Sequence, residues 1–210
     1  NHRGINNYVT CLIEGNGGYQ KDINTAVSFL EKLCANQKTI NGNSEFMYGS
    51  ILIDKLNQIE EGKKYIMRSA IELGNSDGLW KLGDLFLNGI GYKKDVKTAM
   101  NYYKKSKEKG NKTGLYKLAE LILLDYEKEL TNLITKNTND SVYLDDKAVD
   151  KIKEGLDLLE KAANLQQSDA QLRMAYLTFY GLKIKKSSNE NFIVIKKDVE
   201  SAIKKFQLIA

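Results

Sequence analysis

The sequence predicts an all-α fold, an α-solenoid of about five stacked helix–turn–helix repeats. Three observations predict it. One pattern of small and large apolar residues recurs along the 210 residues, glycines punctuate it in fixed register, and no proline interrupts a helix. At 42% hydrophobic and 28% charged, the chain buries a core and is not a disordered tail. Its longest aliphatic runs, Leu121-Ile122-Leu123-Leu124 and Phe192-Ile193-Val194-Ile195, are too short to span a membrane. Two cysteines build no disulfide framework, and a single histidine leaves little for acid–base or metal chemistry.

The first helix of each repeat comes from one grammar: a small residue, a large apolar one four later, a small one next, and a closing glycine. Gly78, Leu82, Gly83 and Gly89 show it in full, as do Ala170, Met174, Ala175 and Gly181. Gly4, Tyr8 and Gly15 obey most of it, as do Ser44, Tyr48 and Gly49; Gly114, Leu118 and Ala119 obey its first half. Bulk at Gly49, Gly83, Ala119 or Ala175 would wedge the first helix away from the second. Gly15, Gly89 and Gly181 can take positive φ and let the chain reverse.

The second helix is read from Asp95-Val-Lys-Thr-Ala99-Met100, repeated as Asp22-Ile-Asn-Thr-Ala26-Val27 and Asp198-Val-Glu-Ser-Ala202-Ile203. Val96, Ala99, Met100 and Tyr103 make one helical stripe. Glycine and asparagine after the last turn, as in Gly74-Asn75 and Gly110-Asn111, are expected to supply a left-handed cap. First helices then start near residues 4, 44, 78, 114 and 170. The units are 1–40, 41–75, 76–111, 112–167 with an insertion at 126–147, and 168–210 with an insertion at 183–195. Leu130, Leu133 and Ile134 continue helical spacing, so the fourth unit's first helix is expected to run long, followed by a flexible acidic loop from Thr135 to Asp146. The β-prone Phe192–Ile195 is expected to dock on its own unit in preference to a partner's sheet. Gly4 already at a repeat position and a last helix reaching Ala210 mark the chain as an excerpt of a longer array.

The segment Leu82-Gly83-Asp-Leu-Phe86-Leu-Asn-Gly89-Ile-Gly91-Tyr-Lys-Lys-Asp95-Val-Lys-Thr-Ala99-Met-Asn-Tyr102-Tyr103, running to Gly110-Asn111, resembles the Sel-1-like repeat family, a helical solenoid of the tetratricopeptide type. The second unit departs from the family pattern, with Leu56-Asn57-Gln58 where the paired loop glycines belong, and the fourth replaces that loop with its insertion. The resemblance implies a right-handed solenoid acting as an adaptor or scaffold, with no shared catalytic residues. It also implies two more specific settings: a regulatory subunit docking on a membrane enzyme or degradation complex, and a compartment that includes the ER lumen. No secretory leader opens the chain, but the sequence begins at Asn1 and not at methionine, so the compartment stays open, with a lean toward an intracellular one. Some members link their two helices by disulfides, so the resemblance allows a Cys11–Cys34 bond, whereas the residues themselves read as buried free thiols.

Other candidate chemistry is sparse. Gly89-Ile-Gly91 lacks the third glycine and the preceding strand of a dinucleotide fingerprint and reads as an interhelix turn. His2 has no acidic or cysteine partner nearby in sequence. No catalytic residue, cofactor or metal is therefore expected, and the chain is read as a non-enzyme whose partners are other proteins. In such a solenoid the first helices line the concave face, and one side chain per turn points into the groove. These are Asn7, Thr10 and Glu14; Met47, Ser50 and Asp54; Lys81, Asp84 and Asn88; Lys117 and Glu120; Arg173, Tyr176 and Tyr180. Tyrosine and arginine dominate interface hot spots, which singles out the last three.

The net charge of +5 is uneven. Lysines crowd Gly91 to Lys117 and acids crowd Asp125 to Glu160. The lysine-rich third unit makes nucleic acid the runner-up partner. It ranks second because only Arg3, Arg68 and Arg173 offer the guanidinium fork that phosphate readers favour.

Overall fold

The computed structural model describes residues 2–36, 41–135, 142–186 and 192–209. The chain folds as an all-α repeat protein, in two compact units, Asn1–Lys109 and Gly110–Ala210. The first unit holds three helix pairs: α1 (His2–Glu14) with α2 (Ile23–Ala35), α3 (Gly42–Asp54) with α4 (Ile59–Met67), and α5 (Ser76–Asn88) with α6 (Val96–Glu108). Helix α4 continues through a π-helical turn, Arg68–Glu72. In the second unit α7 (Lys112–Leu124) pairs with α9 (Asp146–Asn164), and α10 (Ser168–Tyr180) with α11 (Val199–Ile209). A short helix α8 (Glu127–Thr135) and three strands, β1 (Val142–Leu144), β2 (Leu182–Lys186) and β3 (Phe192–Ile195), fill the two insertions.

Polar side chains set the start of nearly every helix. Asn41, Asn75, Asn111 and Gln167 each accept the backbone N–H three residues on, at Ser44, Gly78, Gly114 and Ala170, the small residues that open the repeat grammar. Asp22, Asp95, Asp145 and Asp198 do the same for second helices. Each cap satisfies a donor that the helix cannot pair internally. One expectation is corrected here. Gly74 and Gly110 take positive φ as predicted, but Asn75 and Asn111 do not share that cap; they stay extended and cap the following helix. An asparagine side chain that reaches the next helix's N–H groups gains more there than in a left-handed turn that glycine already supplies.

Two of these caps make a pH prediction. The hydroxyls of Thr25 and Thr98, then their backbone N–H groups, hold the Asp22 and Asp95 carboxyls below their ordinary value near 3.8. A depressed carboxyl stabilises the fold above its unfolded value and loses that contribution as pH falls through the folded one. The acid limb of stability below 3.8 is therefore expected to flatten in Asp22→Asn/Asp95→Asn, because asparagine caps in either condition. Thermal unfolding across that range checks it.

The small positions sit where helices touch most closely. A Cβ on Gly49 would lie 2.8 Å from the Gly62 carbonyl oxygen of α4, and one on Gly83 would lie 2.6 Å from the Tyr103 ring of α6. Ala99, Ala119 and Ala175 are fully buried. The closing glycines behave as expected: Gly15, Gly89 and Gly181 have φ of 73°, 71° and 78°. In the second repeat Asn57 takes positive φ in the loop that lacks the glycines. Serines tie helix pairs together, Ser69 Oγ donating to the Gly42 carbonyl at 2.7 Å and Ser106 Oγ to Ser76 at 2.8 Å.

The first insertion departs from expectation and the second meets it. Helix α7 does not run long. It ends at Leu124, Asp125 and Tyr126 make a turn in which the Tyr126 N–H donates to the Leu123 carbonyl at 3.0 Å, and α8 restarts at Glu127 with Leu130 buried. The break lets Leu130 face the core while Leu121, Ile122 and Leu123 stay packed. The acidic loop is not irregular throughout: Val142–Leu144 pairs in parallel with Ile184–Lys186, while 136–141 lie outside the described residues. Phe192–Ile195 does dock on its own unit, antiparallel to Leu182–Lys185, in a sheet of order β1-β2-β3. Ile184 and Leu182 are buried, so burial of alternate β2 side chains anchors the sheet.

Candidate protein-binding surfaces

First-helix residues of the first unit form a groove of about 400 Å³ between α1 and α3, with Asp77 of α5 also in its lining. Five of the predicted groove residues line it: Thr10, Glu14, Met47, Ser50 and Asp54. Asn7 does not, and Asn6, one residue earlier, takes its place. Ile13, Phe46 and Ile51 complete an apolar floor beneath a polar rim, the makeup of a ligand site.

The three predicted residues of α5 face different tasks. Lys81 is only 9% exposed, and its Nζ lies 2.6 Å from Asp54 Oδ2, so its charge joins α5 to α3. Asp84 accepts the hydroxyl proton of Tyr103, holding α5 to α6. Burial, with the Asp84 charge and hydrogen bond, raises the Tyr103 hydroxyl far above its usual range. Asn88 is exposed, its side-chain amide donating to the Asp84 carbonyl at 2.9 Å.

In the second unit, Glu120 and Arg173 come together, and sequence reasoning missed their third partner. The Arg173 guanidinium donates to Glu127 of α8, while its Nε stands 4.0 Å from Glu120 Oε1. Glu127 was hidden because its placement depends on the unforeseen turn at Asp125. Burial raises the Glu120 carboxyl despite the opposing Arg173 charge. Burial likewise opposes the Arg173 charge, but Glu127 and Glu120 outweigh it and the guanidinium pKa is raised. Lys117 is half-buried on α7. The rings of Tyr176 and Tyr180 pack at 4.8 Å between centres, tilted by 55°, with Tyr180 40% exposed.

A second polar cluster joins the first two repeats. Arg68 grips Glu45 with both guanidinium arms, the Nε–Oε2 distance being 2.8 Å, and its charge lies 5.2 Å from the Tyr65 ring. Cys34 abuts the same carboxylate. Burial first, then the Glu45 charge and a hydrogen bond to it, push the thiol up to about 12, against the opposing Arg68 charge. Both cysteines are free in this structure; Cys34 is buried as expected, whereas Cys11 is only half-buried, and no disulfide joins them. Intact mass is expected to be unchanged by reductant, and Cys34 to resist alkylation at mildly alkaline pH until the protein unfolds.

Among the described residues no cluster of three or more metal-ligating side chains occurs, and no helix is long and apolar enough to cross a membrane. The Sel1 repeat model matches residues 10–37, 76–111, 142–166 and 168–191, more than half of the chain. The chain belongs to the Sel1 repeat family. Sel1 repeats generally mediate protein–protein interaction, and the family is typically a non-enzymatic scaffold. The fold is shared with a crystallised Sel1 repeat protein from Oxalobacter formigenes, at TM-score 0.58 and 19% identity over 98% of this chain and 71% of that one. It is also shared with c5321, a protective antigen of uropathogenic Escherichia coli displaying an SLR fold, at TM-score 0.55 and 18% identity. This chain is covered to 98% in that comparison but spans only 37% of c5321. No curated protein matches it. The family model leaves residues 38–75 and 112–141 unmatched; the first stretch holds α3 and α4, whose connection carries Asn57 at positive φ.

Proposed function

We propose that this Sel1 repeat chain is a non-enzymatic scaffold that binds segments of other proteins on the first-helix faces of its repeats. The observation that carries the proposal is the α1–α3 groove, whose apolar floor and polar rim suit a peptide. In the second unit the exposed Tyr180, packed against Tyr176 on the helix that also carries Arg173, offers the residue types that anchor interfaces.

Nucleic acid fits less well. Arg68 and Arg173 are both committed to carboxylates, and the exposed lysines of α6 such as Lys104 and Lys105 sit on a second helix. Lysines alone give salt-sensitive attraction without base readout. Capture of crosslinked partners from cells that make the protein, followed by mass spectrometry, tests the proposal. Partners are expected to be lost with Met47→Glu or Tyr180→Ala and kept with Lys104→Glu. Turnover by the purified chain that a groove substitution abolishes would overturn it. So would salt-sensitive RNA or DNA binding lost on reversing Lys104, Lys105 and Lys107.

A further inference from the structure

We infer that the α1–α3 groove takes a short peptide segment of a partner protein in which an apolar anchor stands beside a lysine or arginine. The inference rests on the scaffold proposal and names the chemistry of one groove. The floor selects the anchor. Ile13, Phe46 and Met47 are half-buried there, and Phe46 is held edge-on by Trp80 at 5.6 Å, so the apolar surface is set before anything binds.

The rim selects the charge. Glu14 is the last residue of α1 and Asp54 the last of α3, so two carboxylates stand at helix ends where the backbone dipole is already negative. Asp77, which accepts the Trp80 indole N–H at 3.1 Å, adds a third carboxylate to the lining, where Lys55 supplies the one ammonium among the described residues. Lys81 offsets Asp54 from below, but no cation pairs with Glu14 among the described residues, which receives only the Asn16 amide at 2.5 Å. A cationic side chain entering beside Glu14 meets both the carboxylate and the negative helix end. Charge of this kind governs partner choice and approach.

An independent observation points to an occupant. Ser50 Oγ, on the groove-lining face of α3, is buried and has no hydrogen-bond partner among the described residues. Most buried hydroxyls are satisfied, and rotation about its χ1 would let this one bond a main-chain group of a bound segment.

Selection of a random peptide display library on the full chain tests this. Enriched peptides are expected to carry a large apolar residue within a few positions of lysine or arginine. A synthetic copy should bind more weakly as salt rises. Glu14→Lys, at an exposed position that leaves the fold intact, is expected to weaken it about tenfold. Ser50→Ala should weaken it severalfold, and Tyr180→Ala should leave it unchanged. Circular dichroism confirms that each variant is folded. Enrichment of acidic peptides, indifference to Glu14→Lys, or an empty selection overturns the inference. Binding lost with Tyr180→Ala instead also overturns it but leaves the scaffold proposal standing, because partner capture tests that separately.

Discussion

Gly83→Leu is expected to destabilise the first unit by about 3 kcal/mol, the upper part of the range for overpacking a tight core. The glycine lies in mid-helix, where alanine would be favoured by about 1 kcal/mol on propensity alone. Its retention has a steric cause: a Cβ there would lie 2.6 and 2.8 Å from two Tyr103 ring atoms and 3.2 Å from the Ala99 carbonyl oxygen. Tyr103 has no room to retreat, being fully buried with its hydroxyl bound to Asp84. Calorimetry should show a clear fall in melting temperature. An unchanged melting temperature would mean that α5 and α6 do not depend on this close approach.

Arg68→Met is expected to cost about 3 kcal/mol, at the low end for breaking a buried pair because the arginine side chain remains 33% exposed. Glu45 is fully buried, so the substitution strands a carboxylate among α2, α3 and the π-helical turn with only the weak Cys34 thiol beside it. Removing both charges with Glu45→Leu/Arg68→Met should recover at least half of the loss, since matched apolar replacement of a buried pair is often neutral. Denaturant titration of the single and double variants measures both steps. A single-variant cost below about 1 kcal/mol would place the pair among ordinary surface bridges.

Local signals carried most of the fold. The start residues Ser44, Gly78, Gly114 and Ala170 repeat because the backbone N–H of each is capped by the side chain three residues earlier, so a one-dimensional pattern records a fixed local contact. Gly83 and Gly89 were legible for the same reason: close approach and chain reversal each exclude side chains at a fixed position. What escaped has no local mark. Nothing in Leu124-Asp125-Tyr126-Glu127 distinguishes a turn from a continuing helix; the break is imposed by burial of Leu130. The parallel pairing of Val142 with Ile184 joins two insertions far apart in sequence, and hydrophobic period reports neither partner nor register.

The candidate surfaces were read less completely. Register placed Thr10, Glu14, Met47, Ser50 and Asp54 on one groove, but it could not show that Lys81 would be consumed by Asp54 or Asp84 by Tyr103. Those pairings depend on how adjacent helices meet. The same dependence hid Glu127, the residue that engages Arg173.

Site-specific photocrosslinking in cells that make the protein tests most directly whether first-helix faces hold the partner. A photoreactive residue at the exposed positions Glu14, Asn88 or Tyr180 compares first helices with Lys32, Lys104 and Lys161 on second helices. Protein adducts from at least one of the first group and from none of the second are the expected result. Adducts from Lys32, Lys104 or Lys161 alone would place the working surface on the opposite helices and contradict the proposed function.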